Sequence, residues 1–191
     1  MSGSIQERLT RLFRERLPDA KSIWGVYATI VFLVYSWTLI TSFYKLPSWM
    51  FYLTIDQILS IYAYSFSVNL LESILFLAGV LSLEFALFPG MGKNNEFQSR
   101  SVLMALIVLA SFMLRLILFR LHENPGAFVS GELLWWGVTL PLSLFVAVFG
   151  PKINIVKNIL EGISDRAVVF LYIYPPLSML SLIVLLIRNI N

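Results

Sequence analysis

Residues 54–88 read TIDQILSIYAYSFSVNLLESILFLAGVLSLEFALF. No Pro or Gly occurs before Gly79, and Pro89-Gly90 closes the run. Its start carries helix-entry chemistry. Thr54-Ile55-Asp56-Gln57 fits a capping box with Thr54 as N-cap, and Leu53 and Ile58 stand where a hydrophobic staple closes. Asp56 in the first turn complements the positive end of the helix dipole. A helix over these residues is about 50 Å long, against a bilayer hydrocarbon core of about 30 Å. Its first turns, with Ile55, Ile58, Leu59 and Tyr62 on one face, are therefore expected at the membrane surface. The span proper then covers about 65–88.

Helical spacing puts Ser65, Asn69, Glu72 and Ser73 on one face of this span, with Gly79 continuing it. A carboxylate in hydrocarbon is costly and must be paired, protonated or next to water. Two readings follow: a helix-packing seam of small and polar residues, or a substrate or proton site. The packing seam is preferred, because nothing else in the chain completes a site chemically.

The remaining text agrees with a membrane class. Of 191 residues, 58% are hydrophobic and 13% charged, and the mean hydropathy is +0.80. A soluble domain of this size carries about twice that charge. Several runs reach spanning length, so the fold is read as all-α, a polytopic transmembrane helix bundle of about five spans; a β-barrel would show short alternating segments. The absence of Cys removes disulfides, thiolate metal sites and cysteine nucleophiles. The sequence pI near 9.3 does not point to nucleic acid, since the basic residues gather at the N-terminus and in alternate loops, a topology pattern.

Residues 1–21 are expected to form a cytoplasmic amphipathic helix. Ile5, Leu9, Leu12, Phe13 and Leu17 make its apolar stripe, and Arg8, Arg11 and Arg14 give a basic face suited to an anionic membrane surface. Residues 22–191 read as one transmembrane domain. Its spans lie at about 22–44, 65–88, 101–121, 132–149 and 166–187. The first reads as an uncleaved anchor. Lys45-Leu46-Pro47-Ser48 is expected to turn the chain, and Lys152–Asp165 to form a second amphipathic helix lying on the membrane surface. Segment 48–64 can instead be a re-entrant or spanning element. Five spans are preferred because no turn signal separates Tyr64 from Ser65.

With the N-terminus cytoplasmic, the inner side holds Arg8, Arg11, Arg14, Arg16, Lys21, Lys93, Arg100, Lys152, Lys157 and Arg166, and the outer side only Lys45, Arg120 and Arg188. That bias sets the orientation and puts the C-terminus outside. It also brings Glu72 and Arg115 to similar depth on consecutive antiparallel spans. An ion pair between them is expected, with Asn69 and Ser111 completing its hydrogen bonds; the alternative is an Arg115 that snorkels outward. Arg120, His122, Glu123 and Glu132 make an outer polar cluster. His122 beside Glu123 has the elements of a general base, but one imidazole at a lipid–water boundary is normally a surface group. Pro141, Pro175 and Pro176 mark kinks, with Thr139, Ser143 or Ser178 expected to re-satisfy the freed carbonyls. Glu84, near the inner end of its span, can reach the headgroups or pair with Lys93 or Arg100. No phosphate loop, catalytic triad, metal motif, haem pair or lipidation site is present, so no cofactor or metal is expected.

The leading expectation is a non-enzymatic integral membrane protein acting by association, as an accessory or structural subunit of a membrane complex or as a homo-oligomer. Its partners would be the lipid bilayer and other membrane subunits or copies of itself. One alternative is a small transporter or channel with a polar site around Glu72 and Arg115; another is a membrane-embedded lipid-modifying enzyme. The compact loops suit a bacterial or archaeal cytoplasmic membrane. Orientation is directly testable: alkaline phosphatase joined after Asn191 is expected to be active, and joined within the 88–95 loop inactive. The reverse pattern would invert the topology.

Overall fold

Long apolar runs in hydrocarbon can satisfy their backbone only internally, and these become helices. The structure, a computed structural model, describes residues 18–87, 96–121 and 131–190. Five helices are long and apolar enough to cross a membrane: α1 (Ala20–Tyr52), α2 (Ile55–Leu87), α3 (Glu96–Leu121), α4 (Glu132–Phe149) and α5 (Asn154–Ile190). A short 3-10 turn, Gly150–Lys152, joins α4 to α5. The chain is thus an all-α integral membrane bundle. The expected amphipathic helix with Arg8, Arg11 and Arg14 lies outside the described residues, as do His122 and Glu123.

α1 is the axis of the bundle. Val26, Ala28, Ile30, Val31 and Tyr35 on it are fully buried. It packs against α2, α3 and α5; α5 also lies along α2, and α4 stands against α3. Beside these apolar side chains the interior holds many small polar ones: Ser73, Ser99, Ser101, Ser143, Ser164 and Ser178 are all within 1% of complete burial. The large apolar ones face out, with Leu133 at 89% and Phe51 at 84% exposure. A water-soluble chain sorts these residues the other way. Lipid supplies no drive to hide Leu or Phe, so the helices associate through close backbone approach and hydroxyl contacts. Gly25 shows this approach most sharply, because a Cβ there would stand 2.5 Å from Ser164 Oγ and 2.6 Å from Gln98 Nε2. Gln98 Nε2 in turn donates to Ser164 Oγ at 2.9 Å, tying α3 to α5 beside that glycine.

The middle of the bundle is aromatic. Tyr35 stacks on Tyr174 at 4.6 Å between ring centroids, and Tyr174 on Phe170 at 5.6 Å. The Tyr35 hydroxyl is held by Ser178 Oγ at 2.6 Å, so a buried phenol keeps a partner. α2 shows Asn69, Ser73, Val80 and Glu84 to the interior. Both 69→80 and 73→84 are about three helical turns, so these residues form one stripe.

Two sequence expectations are corrected here. The chain does not turn at Lys45–Ser48: α1 runs through Pro47 to Tyr52, and Leu53 takes the extended conformation that breaks it. A proline deprives only one carbonyl of its donor, and the cap N–H of Leu53 still reaches Trp49 O at 2.8 Å. Nor is 152–165 a separate surface helix. Lys152 ends the 3-10 turn, and from Asn154 onward the segment opens the 37-residue α5 without a break, because Leu160, Ser164 and Ala167 form a buried stripe that continues into the span. At the other side, α2 begins as its text predicts: Thr54 N–H donates to Gln57 Oε1 at 3.0 Å, one arm of the capping box. The helix then continues unbroken past Tyr64 and Ser65.

Gly25→Val is expected to lower the melting temperature in detergent by several degrees, since backbone and Ser164 must part. Gly79→Ala, where a new Cβ has nothing within 4 Å, is expected to leave it unchanged or higher. Equal effects would mean that the Gly25 approach is not a packing constraint.

Candidate intramembrane groove at Glu72

α2 and α3 are consecutive in the chain yet meet only slightly, because α2 is drawn onto α1 and α5 while α3 is drawn onto α1 and α4. The gap between them is a groove floored by α1. Its main cavity, of about 550 Å³, is lined by Val34, Trp37 and Thr38 of α1, Glu72, Leu75 and Phe76 of α2, Val108, Leu109, Phe112 and Met113 of α3, and Trp136 of α4. A second hollow of about 400 Å³ shares Trp37, Thr38, Glu72 and Phe112 with it and extends past Tyr64, Ser65, Val68, Asn69 and Leu116. Glu72 belongs to both and is the sole charged side chain in either lining.

The polar face expected on α2 divides. Asn69 and Ser73 turn to α1: Thr38 Oγ1 donates to Asn69 Oδ1 at 3.1 Å, and Tyr27 OH lies 3.5 Å from Ser73 Oγ. Ser73 also donates back to Leu70 O at 2.9 Å. They are packing residues, as the seam reading has it. Glu72 is turned away from that contact and exposed in the groove. Among the described residues it makes no ion pair. Asn69 adds a second unmet polar atom, since its Nδ2 is buried without a hydrogen-bond partner.

The expected Glu72–Arg115 pair does not form. Arg115 Nε donates to Glu132 Oε1 at 2.8 Å, and its guanidinium lies 5.1 Å from the centre of the Trp135 ring. Glu132 Oε2 accepts from Trp136 Nε1 at 3.0 Å. Ser111, expected to support that pair, accepts instead from Trp135 Nε1 at 2.9 Å and meets Thr139 Oγ1 at 3.2 Å. Ser111 and Arg115 are one turn apart on the face of α3 that meets α4, whereas Val108, Leu109, Phe112 and Met113 face Glu72. Depth was legible from sequence; the direction around the helix was not. Glu132, grouped with an outer polar cluster, is an α3–α4 clasp.

Glu84 is buried, at 6% exposure, with Arg100 at 3%. Arg100 Nη2 lies 3.6 Å from Glu84 Oε2, and Ser101 Oγ donates to Glu84 Oε1 at 3.3 Å. This pair ties the C-terminal part of α2 to the first turns of α3. The prolines lie within continuous helices α4 and α5. The hydroxyls expected to serve their freed carbonyls are used elsewhere: Ser143 donates to Leu140 O, Ser178 meets Tyr35, and Thr139 meets Ser111. Among the described residues no cluster of His, Cys, Asp or Glu is placed to hold a metal. The groove's aromatic walls Trp37 and Phe112 do not stand out in the sequence, and Trp136, which with Trp135 reads there as an interface residue, lines the groove. Nothing in one apolar run distinguishes a residue facing a groove from one facing lipid.

Comparison with known proteins finds no family model that matches the chain, no similar curated protein and no similar solved structure.

The carboxylates of Glu84 and Glu72 are expected to respond differently to removal. Glu84→Ala takes the carboxylate away from buried Arg100 and is expected to cost about 3–5 kcal/mol, part of which Arg100→Leu restores in the double variant. Glu72→Gln is expected to leave unfolding in detergent unchanged. Equal losses at both positions would place Glu72 in an internal contact that the structure lacks.

Proposed function

We propose that this chain is a non-enzymatic integral membrane protein that acts by association, as an accessory or structural subunit of a membrane complex or as a homo-oligomer. The observation that carries this reading is the groove between α2 and α3. It lies at bilayer depth, its lining is mostly apolar, and it exposes one carboxylate. A transporter works through a polar, water-lined path across the bundle, and a lipid-modifying enzyme through an acid–base pair at a headgroup-sized cavity. The groove offers a contact surface instead: aromatic and aliphatic walls with one group that asks for a partner.

The proposed setting is the cytoplasmic membrane of a bacterium or archaeon, with the N-terminus inside and the C-terminus outside. Its support is the distribution of Lys and Arg and the shortness of the segments between helices.

Affinity purification through a tag on this chain, after mild extraction and followed by native mass spectrometry, tests the reading. Association predicts other subunits, or further copies of the chain, at fixed stoichiometry. A lone monomer would contradict it and favour the small transporter or channel around Glu72 and Arg115, whose signature is flux into proteoliposomes that Glu72→Gln abolishes.

A further inference from the structure

Resting on the association reading above, we infer that the α2–α3 groove is the docking site for a transmembrane helix of a different protein, one that carries a basic side chain at the depth of Glu72. Three observations meet here. The first is charge. Glu72 stands in an apolar groove with no ion pair among the described residues, while Glu84 and Glu132 each hold an arginine. A carboxylate held in hydrocarbon is retained where a cation or donor meets it, so the complementary occupant is cationic at that point.

The second is spacing. Val68, Glu72, Leu75 and Gly79 are exposed and recur at intervals of four, three and four residues. That is the repeat by which one helix presents a seam to another. Gly79, with nothing within 4 Å of the place its Cβ would take, leaves α2's backbone open to close approach by a neighbour.

The third is the supply of cations within the chain itself. Among the described residues, Arg115 stands one turn from Phe112 on α3, and it is committed to Glu132 and Trp135. A second copy in the same orientation would bring that same committed arginine, which favours a different protein as the source of the cation. The occupant's body fills the space between Leu75 and Phe112, and its basic side chain reaches Glu72 from the membrane side.

The probe is a pair of synthetic helices of about 20 Leu and Ala residues, long enough to span. One is wholly apolar; the other carries a single Lys in the outer third. Each is labelled for energy transfer to the full-length protein in phosphatidylcholine–phosphatidylglycerol vesicles. The Lys helix is expected to bind about tenfold more tightly than the apolar helix, as an intramembrane polar contact of ordinary strength gives. Glu72→Gln should remove that preference without changing the melting temperature, and Gly79→Leu should weaken both helices. Equal binding of the two helices, or a preference that survives Glu72→Gln, overturns the inference. So does dodecylamine displacing the Lys helix at equal concentration, which would make the occupant a small lipophilic cation. If subunits co-purify at fixed stoichiometry while the Lys preference is absent, the association reading stands and this inference alone falls.

Discussion

Hydrocarbon accepts no hydrogen bond and gives no reward for hiding Leu or Phe, and the bundle follows from that. With the hydrophobic drive between helices removed, contacts form where backbones can come close and where hydroxyls can meet each other. Gly25 against Ser164, Ser73 beside Tyr27, and Ser178 on Tyr35 are such contacts. The residues that a soluble protein would bury are spread over the outside. Tyr35 joins the two modes: its ring stacks in an aromatic column, and its hydroxyl finds a serine on another helix.

The same solvent makes every charge consequential. Glu84 and Arg100, where the end of α2 meets the start of α3, and Arg115 and Glu132, between α3 and α4, neutralise each other within the chain. The first pair fastens two helices that otherwise meet only slightly, and the second adds to a packed contact. Glu72 departs from this economy. It sits between the helices that meet least, where the bundle leaves a hollow rather than a contact. A small or apolar residue there would spare the bundle an unpaired carboxylate, and the proposal of a docking site rests on that departure.

Class, helix number and much of the register were legible in the sequence. The apolar runs and the Thr54–Gln57 cap needed only length, spacing and composition. The rotational setting of the helices did not follow. Glu72 and Arg115 lie at matching depth on neighbouring spans, yet α3 turns Arg115 and Ser111 toward α4 and offers Phe112 to Glu72. In water, amphipathic periodicity reveals which face is inside; in a lipid-facing helix both faces are apolar, and that signal is lost. The long α5 was missed for a related reason. A polar and apolar alternation over 152–165 fits a helix lying on the surface and also the inner turns of one that passes through, and the burial of Leu160 and Ser164 decides between them.

The most direct test of the account is whether the groove is dry, and a chain without native Cys is suited to it. Single cysteines at Val68, Leu75 and Gly79 can be challenged in intact vesicles with a membrane-impermeant maleimide and with a lipid-soluble one. A lateral docking groove predicts labelling by the lipid-soluble reagent only, at all three positions. Labelling of the three by the impermeant reagent would reveal a water path along α2 past Glu72, contradict the docking account, and establish transport as the better description.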